Sequence, residues 1–166
     1  MILPKTFDEN EWFIFTVLFV TTLLIIRMPK RLPWSITVLV FLYSAVAARA
    51  IDRILGGPPY DLYDINDTPY FDLVDLFTYF LYPAFGYFFV YLYEKWQLRG
   101  LFTYLYIVGC TILAVGFERL TVAANIFTFK RWTSLYSFPT YLVIFSVTLL
   151  YYRFLLKQYP FCKKGS

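Results

Sequence analysis

Five apolar runs, each closed by charged or helix-breaking residues, take up most of the chain. With their flanks they predict helices at about residues 8–27, 34–55, 69–93, 101–124 and 138–156. A bilayer core asks for about 20 apolar residues per helix. In lipid a spanning segment must also satisfy its own backbone, so separate apolar runs become helices. The expectation is an all-α, polytopic bundle forming one transmembrane domain. Composition agrees: 60% of residues are hydrophobic and 16% charged, against about 45–50% and 25% in soluble domains. Mean hydropathy is +0.58.

The punctuation supplies the boundaries. Thr6 with Glu9 reads as a capping box that starts the first helix near Phe7. Trp12 and Arg27 anchor its two ends. Met28-Pro29-Lys30 offers no small-residue cleavage site, so this run is expected to be an uncleaved anchor. Pro33-Trp34 opens the second helix and Gly56-Gly57-Pro58-Pro59 stops it. Thr68 as N-cap and Pro69 at the first position open the third. The fourth run, Leu101 to Phe129, is open to two further readings: one long tilted helix, or a helix followed by a re-entrant piece. A four-span arrangement with a peripheral first helix is the alternative to five.

Five spans place the N-terminus, the 2–3 loop and the 4–5 loop on one side. That side carries six basic residues (Lys5, Arg49, Arg53, Arg119, Lys130, Arg131) against nine on the other. The positive-inside rule then puts the N-terminus outside and the C-terminus in the cytoplasm. Ten of the eleven carboxylates lie on the outer side; Glu94 is the exception.

Several functions are disfavoured by what is missing. There is no histidine, which removes imidazole ligation and imidazole acid–base chemistry. Cys110 and Cys162 are too few for a zinc site and too far apart to form a disulfide framework. The net charge of +4 is dispersed in ones and twos at run ends, so nucleic acid is not an expected partner. No catalytic or metal-ligating set emerges, and no cofactor is indicated.

Charge at membrane depth is costly and marks either structure or function. At about 1.5 Å per residue, Arg49 lies about 9 Å below the end of the second helix. Asp52 and Arg53 share its face. Glu118 lies at a similar depth on the fourth helix with Arg119 beside it. Asp72 and Asp75 occupy the first turns of the third. One reading is an ion-pair network in which Arg49 clips to Glu118 or Asp75. Another is a polar pocket, open to the outside, for a cation or small zwitterion. A third is snorkelling without contact.

Small residues on the second helix (Ser44, Ala45, Ala47, Ala48, Ala50) and the fourth (Gly109, Gly116, Ala123) predict close packing of those two helices. Pro83 with Gly86 predicts a bend in the third. In the loop Gly56 to Asp72, the residues Asp61, Asp64, Asn66 and Asp67 are candidate ligands for a hard cation, though their spacing does not match an EF-hand. The alternative is an ordered Tyr- and Pro-rich loop resting on the helix ends, with Trp132 and Tyr136 doing the same from the 4–5 loop. The aromatic third span invites a stacked quinone, haem or carotenoid, but nothing in its spacing selects one.

The stretch PYDLYDINDTPYFDLVDLFTYFLYPAFGYFFVYLYEKW, Pro59 to Trp96, resembles an uncharacterised family of small multi-spanning membrane proteins of spore-forming Gram-positive bacteria. The likeness continues in Gly116-Phe117-Glu118 and in the Tyr-Ser-Phe-Pro-x-Tyr element from Tyr136 to Tyr141. It covers most of Arg49 to Tyr152 and implies a multi-pass protein of the bacterial cell membrane without assigning any chemistry. Three functions are then in view: a non-enzymatic accessory protein acting through helix contacts with another membrane protein or itself; a small-molecule or ion binder or transporter using the outer charged cluster; and a metal-dependent membrane enzyme using the outer aspartates.

Overall fold

In the computed structural model, residues 9–65, 73–124 and 126–159 are described. The capping pair at Thr6 and the caps at Thr68 and Pro69 lie outside them, as do Asn66, Asp67 and Asp72. The elements are α1 (Glu9–Arg27), α2 (Trp34–Leu55), β1 (Tyr63–Ile65), α3 (Leu73–Trp96), α4 (Leu101–Ala123), β2 (Phe127–Phe129) and α5 (Ser134–Gln158). The chain is helical, as expected. Helices α2, α4 and α5 are each long and apolar enough to cross a membrane.

Local chemistry sets most boundaries. Pro33 occupies the N-cap of α2, where its missing N–H is no loss. At the other end a Cβ on Gly57 would stand 2.6 Å from the Arg53 carbonyl oxygen, so this tight exit requires glycine. Gly100, with φ of +55°, turns the chain from α3 into α4. The run from Leu101 to Phe129 divides in two: α4 ends at Ala123, and residues 127–129 are strand. α5 begins at Ser134, four residues before the start read from its apolar run, and takes Pro139 into its second turn.

The helices pack around α3, which touches each of the other four. Near one end Ile14 of α1, Leu81 of α3 and Ile126 form a small core with Phe13 and Phe127 beside it. The larger core fills the rest of the bundle, with Ile36, Val40, Val90, Tyr91 and Tyr152 fully buried. Large apolar side chains also point outward: Leu113 is 73% exposed, Phe102 68% and Val46 68%. A soluble monomer rarely shows so much apolar surface.

One packing expectation is corrected. α2 packs on α3 rather than on α4, with Ser44 at the seam. A Cβ on Gly86 would collide with the Cβ and Oγ of Ser44, whereas one on Gly109 or Gly116 would meet no described atom within 4 Å. Gly86 thus brings α2 and α3 together, while the glycines of α4 face out and α4 packs on α5. α3 continues as helix through Pro83. Its rings meet other rings: Phe89 stacks on Tyr106 at 5.1 Å and touches Phe145 at 4.7 Å.

Where the 2–3 and 4–5 loops meet, β1 and β2 pair antiparallel, Tyr63 with Phe129, Asp64 with Thr128 and Ile65 with Phe127. Three-residue strands leave too short a pattern to read from sequence.

Candidate functional site

Beneath this small sheet lie two carboxylates on different helices. Asp52 stands one turn before the end of α2. The chain folds back at once, with the Leu62 N–H donating to the Leu55 carbonyl at 2.9 Å, which returns Tyr63 over the helix end. The Tyr63 hydroxyl donates to Asp52 Oδ1 at 2.9 Å, and Tyr82 of α3 donates to Oδ2 at 2.8 Å.

Glu118 of α4 is buried, at 8% exposure. The early start of α5 puts Ser137 and Tyr141, four residues apart, on one helical face. Ser137 Oγ donates to Glu118 Oε1 at 2.7 Å and Tyr141 donates to Oε2 at 3.0 Å. Trp132 Nε1 donates in turn to Ser137 Oγ at 2.7 Å. Each of the four carboxylate oxygens therefore accepts one hydroxyl or phenol hydrogen and keeps a further lone pair.

The two acids share one electrostatic environment. Tyr63 interacts with Glu118 and Tyr141 as well as Asp52, and Tyr141 with Asp52 as well as Glu118. Burial, reinforced by the Asp52 carboxylate, pushes the Tyr63 phenol well above its usual range, so it remains a donor throughout the physiological pH range.

Among the described side chains, the arginine contacts are these. The Arg49 guanidinium lies over the Tyr79 ring, 4.2 Å from its centroid, and acts on Asp52 electrostatically. Glu118 is held by hydroxyls rather than by Arg49. Arg53 is exposed, and Arg119 reaches Ser134 Oγ at 3.3 Å. Asp75 falls in the first turn of α3; Asp72 is outside the described residues.

Above the cluster the loops are latched together. The Leu62 carbonyl accepts three successive backbone N–H groups, from Lys130, Arg131 and Trp132, at 3.0, 3.0 and 3.1 Å. Lys130 Nζ sits 2.8 Å from Asp61 Oδ1 and 2.9 Å from Asp64 Oδ1. The hydrogen bonds it donates to both aspartates raise the Lys130 pKa above its ordinary value. Two of the candidate cation ligands, Asp61 and Asp64, thus converge on an ammonium supplied by the chain. Among the described residues no three Cys, Asp or Glu side chains gather as a metal site.

The donors Tyr63, Tyr82, Ser137, Tyr141 and Trp132 are absent from the sequence-derived site. The usable signal was the spacing of Ser137 and Tyr141, which reads as one face once α5 starts early. At the opposite end Glu94 is held in a similar way, by Tyr152 at 2.8 Å and Gln97 at 2.9 Å. No family model, curated protein or solved structure matches this chain.

Proposed function

We propose that the chain is a five-span protein of the bacterial cell membrane, N-terminus outside, that binds a small cation at the Asp52–Glu118 cluster as a sensor or transport component. Supporting five spans, the N-terminal half of α1 packs beside the β1–β2 end, with Phe15 against Phe77 and Phe13 against Phe117. In this reading all five helices cross the membrane in alternating directions. The count of basic residues favours the cytoplasm for the other end, and the resemblance to membrane proteins of spore-forming bacteria supports the location.

The observation that carries the binding reading is the pair of carboxylates whose four oxygens are met by neutral hydroxyls. The four described hydrogen bonds to these oxygens all come from hydroxyls, and Arg49 acts on Asp52 through space. Negative charge held this way at membrane depth favours occupation by a cation. The test is thermal unfolding of the purified protein in sodium, potassium or tetramethylammonium chloride at fixed ionic strength. A binding cation raises Tm in the wild type and not in Glu118→Gln. Equal Tm in all three salts, with Glu118→Gln differing only by a constant offset, overturns the reading.

The accessory function is the second reading, and the outward face of α4 favours it. Gly109 and Gly116 present open backbone there, a surface on which a helix of another membrane protein or of a second copy can pack closely. A co-purifying protein or discrete oligomer in native mass spectrometry supports it, and a bare monomer in lipid argues against it.

A further inference from the structure

The Asp52–Glu118 cluster is covered from the β1–β2 end by side chains of two separate loops, and one exposed latch holds those loops together. We propose that the β1–β2 latch is a gate: its opening parts the two loops, withdraws Tyr63 and Trp132 from the carboxylates, and admits solvent and solutes from the outer side. This deepens the proposed binding role and rests on it for its biological meaning.

The contacts divide into two sets. Tyr82, Ser137 and Tyr141 hold the carboxylates from α3 and α5, within the bundle. Tyr63 and Trp132 come from the loops. Their rings meet edge-on at 5.9 Å, and Tyr63 is also edge-on to Phe127 of β2 at 5.6 Å. Tyr63 donates to Asp52, whereas Trp132 reaches Glu118 through Ser137. Separating the loops therefore withdraws one direct donor from Asp52 and the group that orients the Ser137 hydroxyl toward Glu118. The helical donors stay in place, so an opened site keeps its shape.

The bonds that close the gate are those most easily given up. The sheet has three residue pairs, and an isolated two-stranded ribbon is marginal in water. The side chains of Lys130, Asp61 and Asp64 are 39%, 56% and 50% exposed, so water and salt compete for their ion pairs. Elements that open locally come from this low-stability end of a structure. The triple N–H contact on the Leu62 carbonyl makes the closed state geometrically defined, because Lys130, Arg131 and Trp132 must dock as a unit.

The experiment is labelling of Glu118 by a water-soluble carbodiimide with glycine ethyl ester, followed by peptide mass spectrometry of the full-length protein in lipid nanodiscs. Two variants bracket the wild type. Lys130→Ala removes the ion pairs. Asp64→Cys with Thr128→Cys, in a background where Cys110 and Cys162 are alanine, locks paired positions of the two strands across a distance that an antiparallel ladder allows. Lys130→Ala is expected to label Glu118 about tenfold faster than wild type, and the oxidised lock about tenfold slower than the same protein after reduction, as expected when access depends on local opening. Equal rates for the oxidised and reduced lock overturn the gate, whatever Lys130→Ala does. If Lys130→Ala does not fold, the lock alone decides. Labelling requires no bound cation, so a protein whose Tm ignores all cations but whose labelling follows the lock retains the gate and loses the binding reading. The converse result removes the gate alone.

Discussion

Ser137 Oγ donates to Glu118 Oε1 at 2.7 Å while accepting the Trp132 indole N–H at the same distance. One hydroxyl thus ties α5 to α4 and to the loop between them. Both its roles are fixed, since a hydroxyl has a single hydrogen to give. Ser137→Ala leaves a buried carboxylate oxygen and a partly buried indole N–H without their partner. An unsatisfied buried polar group costs about 1–3 kcal/mol, so thermal unfolding in detergent should show a clear fall in Tm. Ser137→Thr, which keeps the hydroxyl, should recover part of it. An unchanged Tm in Ser137→Ala would mean that this hydrogen bond contributes nothing net.

Gly86 and Gly109 make opposite predictions from the same residue type. At Gly86 an added methyl collides with Ser44 across the α2–α3 seam, and overpacking of this kind costs about 1–3 kcal/mol. At Gly109 the methyl enters open space and the helix gains about 0.5–1 kcal/mol from the better helix former. Gly86→Ala should therefore lower Tm and Gly109→Ala should hold or raise it. Ser44→Gly should restore much of the Gly86→Ala loss in a double-mutant cycle. Equal effects at the two glycines would sink the packing assignment.

The contrast between those glycines also shows what the sequence could carry. Small residues mark a seam, but not which helix lies across it, because that depends on topology rather than on spacing along one helix. The helices themselves were legible, since lipid imposes length and apolarity on each run separately. Asp52 and Glu118 stood out because charge is rare at that depth. Their partners did not, because Tyr82 and Tyr141 are two tyrosines among sixteen and become donors only when four elements converge. The kind of partner was also hidden: arginines beside acids in sequence invite ion pairs, whereas the oxygens of Asp52 and Glu118 receive hydroxyls. Ser137 fell outside the helix because Pro139 marks a helix start more readily than an interior position.

The latch has its own pH signature. Hydrogen bonds donated to Asp61 and Asp64 raise the Lys130 pKa above its ordinary 10.5, so with the aspartates ionised the ion pairs stabilise the folded loops fully below that value. The contribution is lost only as pH rises through the still higher folded pKa. Protection of the β1 and β2 amides against hydrogen exchange, corrected for intrinsic rate, should depend little on Lys130 titration between about pH 7 and 9. It should fall with added salt, and Lys130→Gln should remove that salt dependence. Persistence of the full salt effect in Lys130→Gln would place it elsewhere in the loops.

The proposed topology makes the sharpest cellular prediction. With five spans, Asp61 and Lys95 lie on opposite sides of the membrane, because α3 crosses between them. A cysteine at Asp61, in a chain lacking Cys110 and Cys162, should react with a membrane-impermeant maleimide in intact cells. A cysteine at Lys95 should react only after permeabilisation. Reversal of the two would invert the bundle while leaving the span count intact. A cysteine near Lys5 separates five spans from four: outside reactivity matching Asp61 requires α1 to cross, whereas protection matching Lys95 would make α1 peripheral. In that event the Phe13–Phe117 and Phe15–Phe77 contacts would also have to be absent in the membrane, which distance measurements between spin labels on α1 and α3 would reveal.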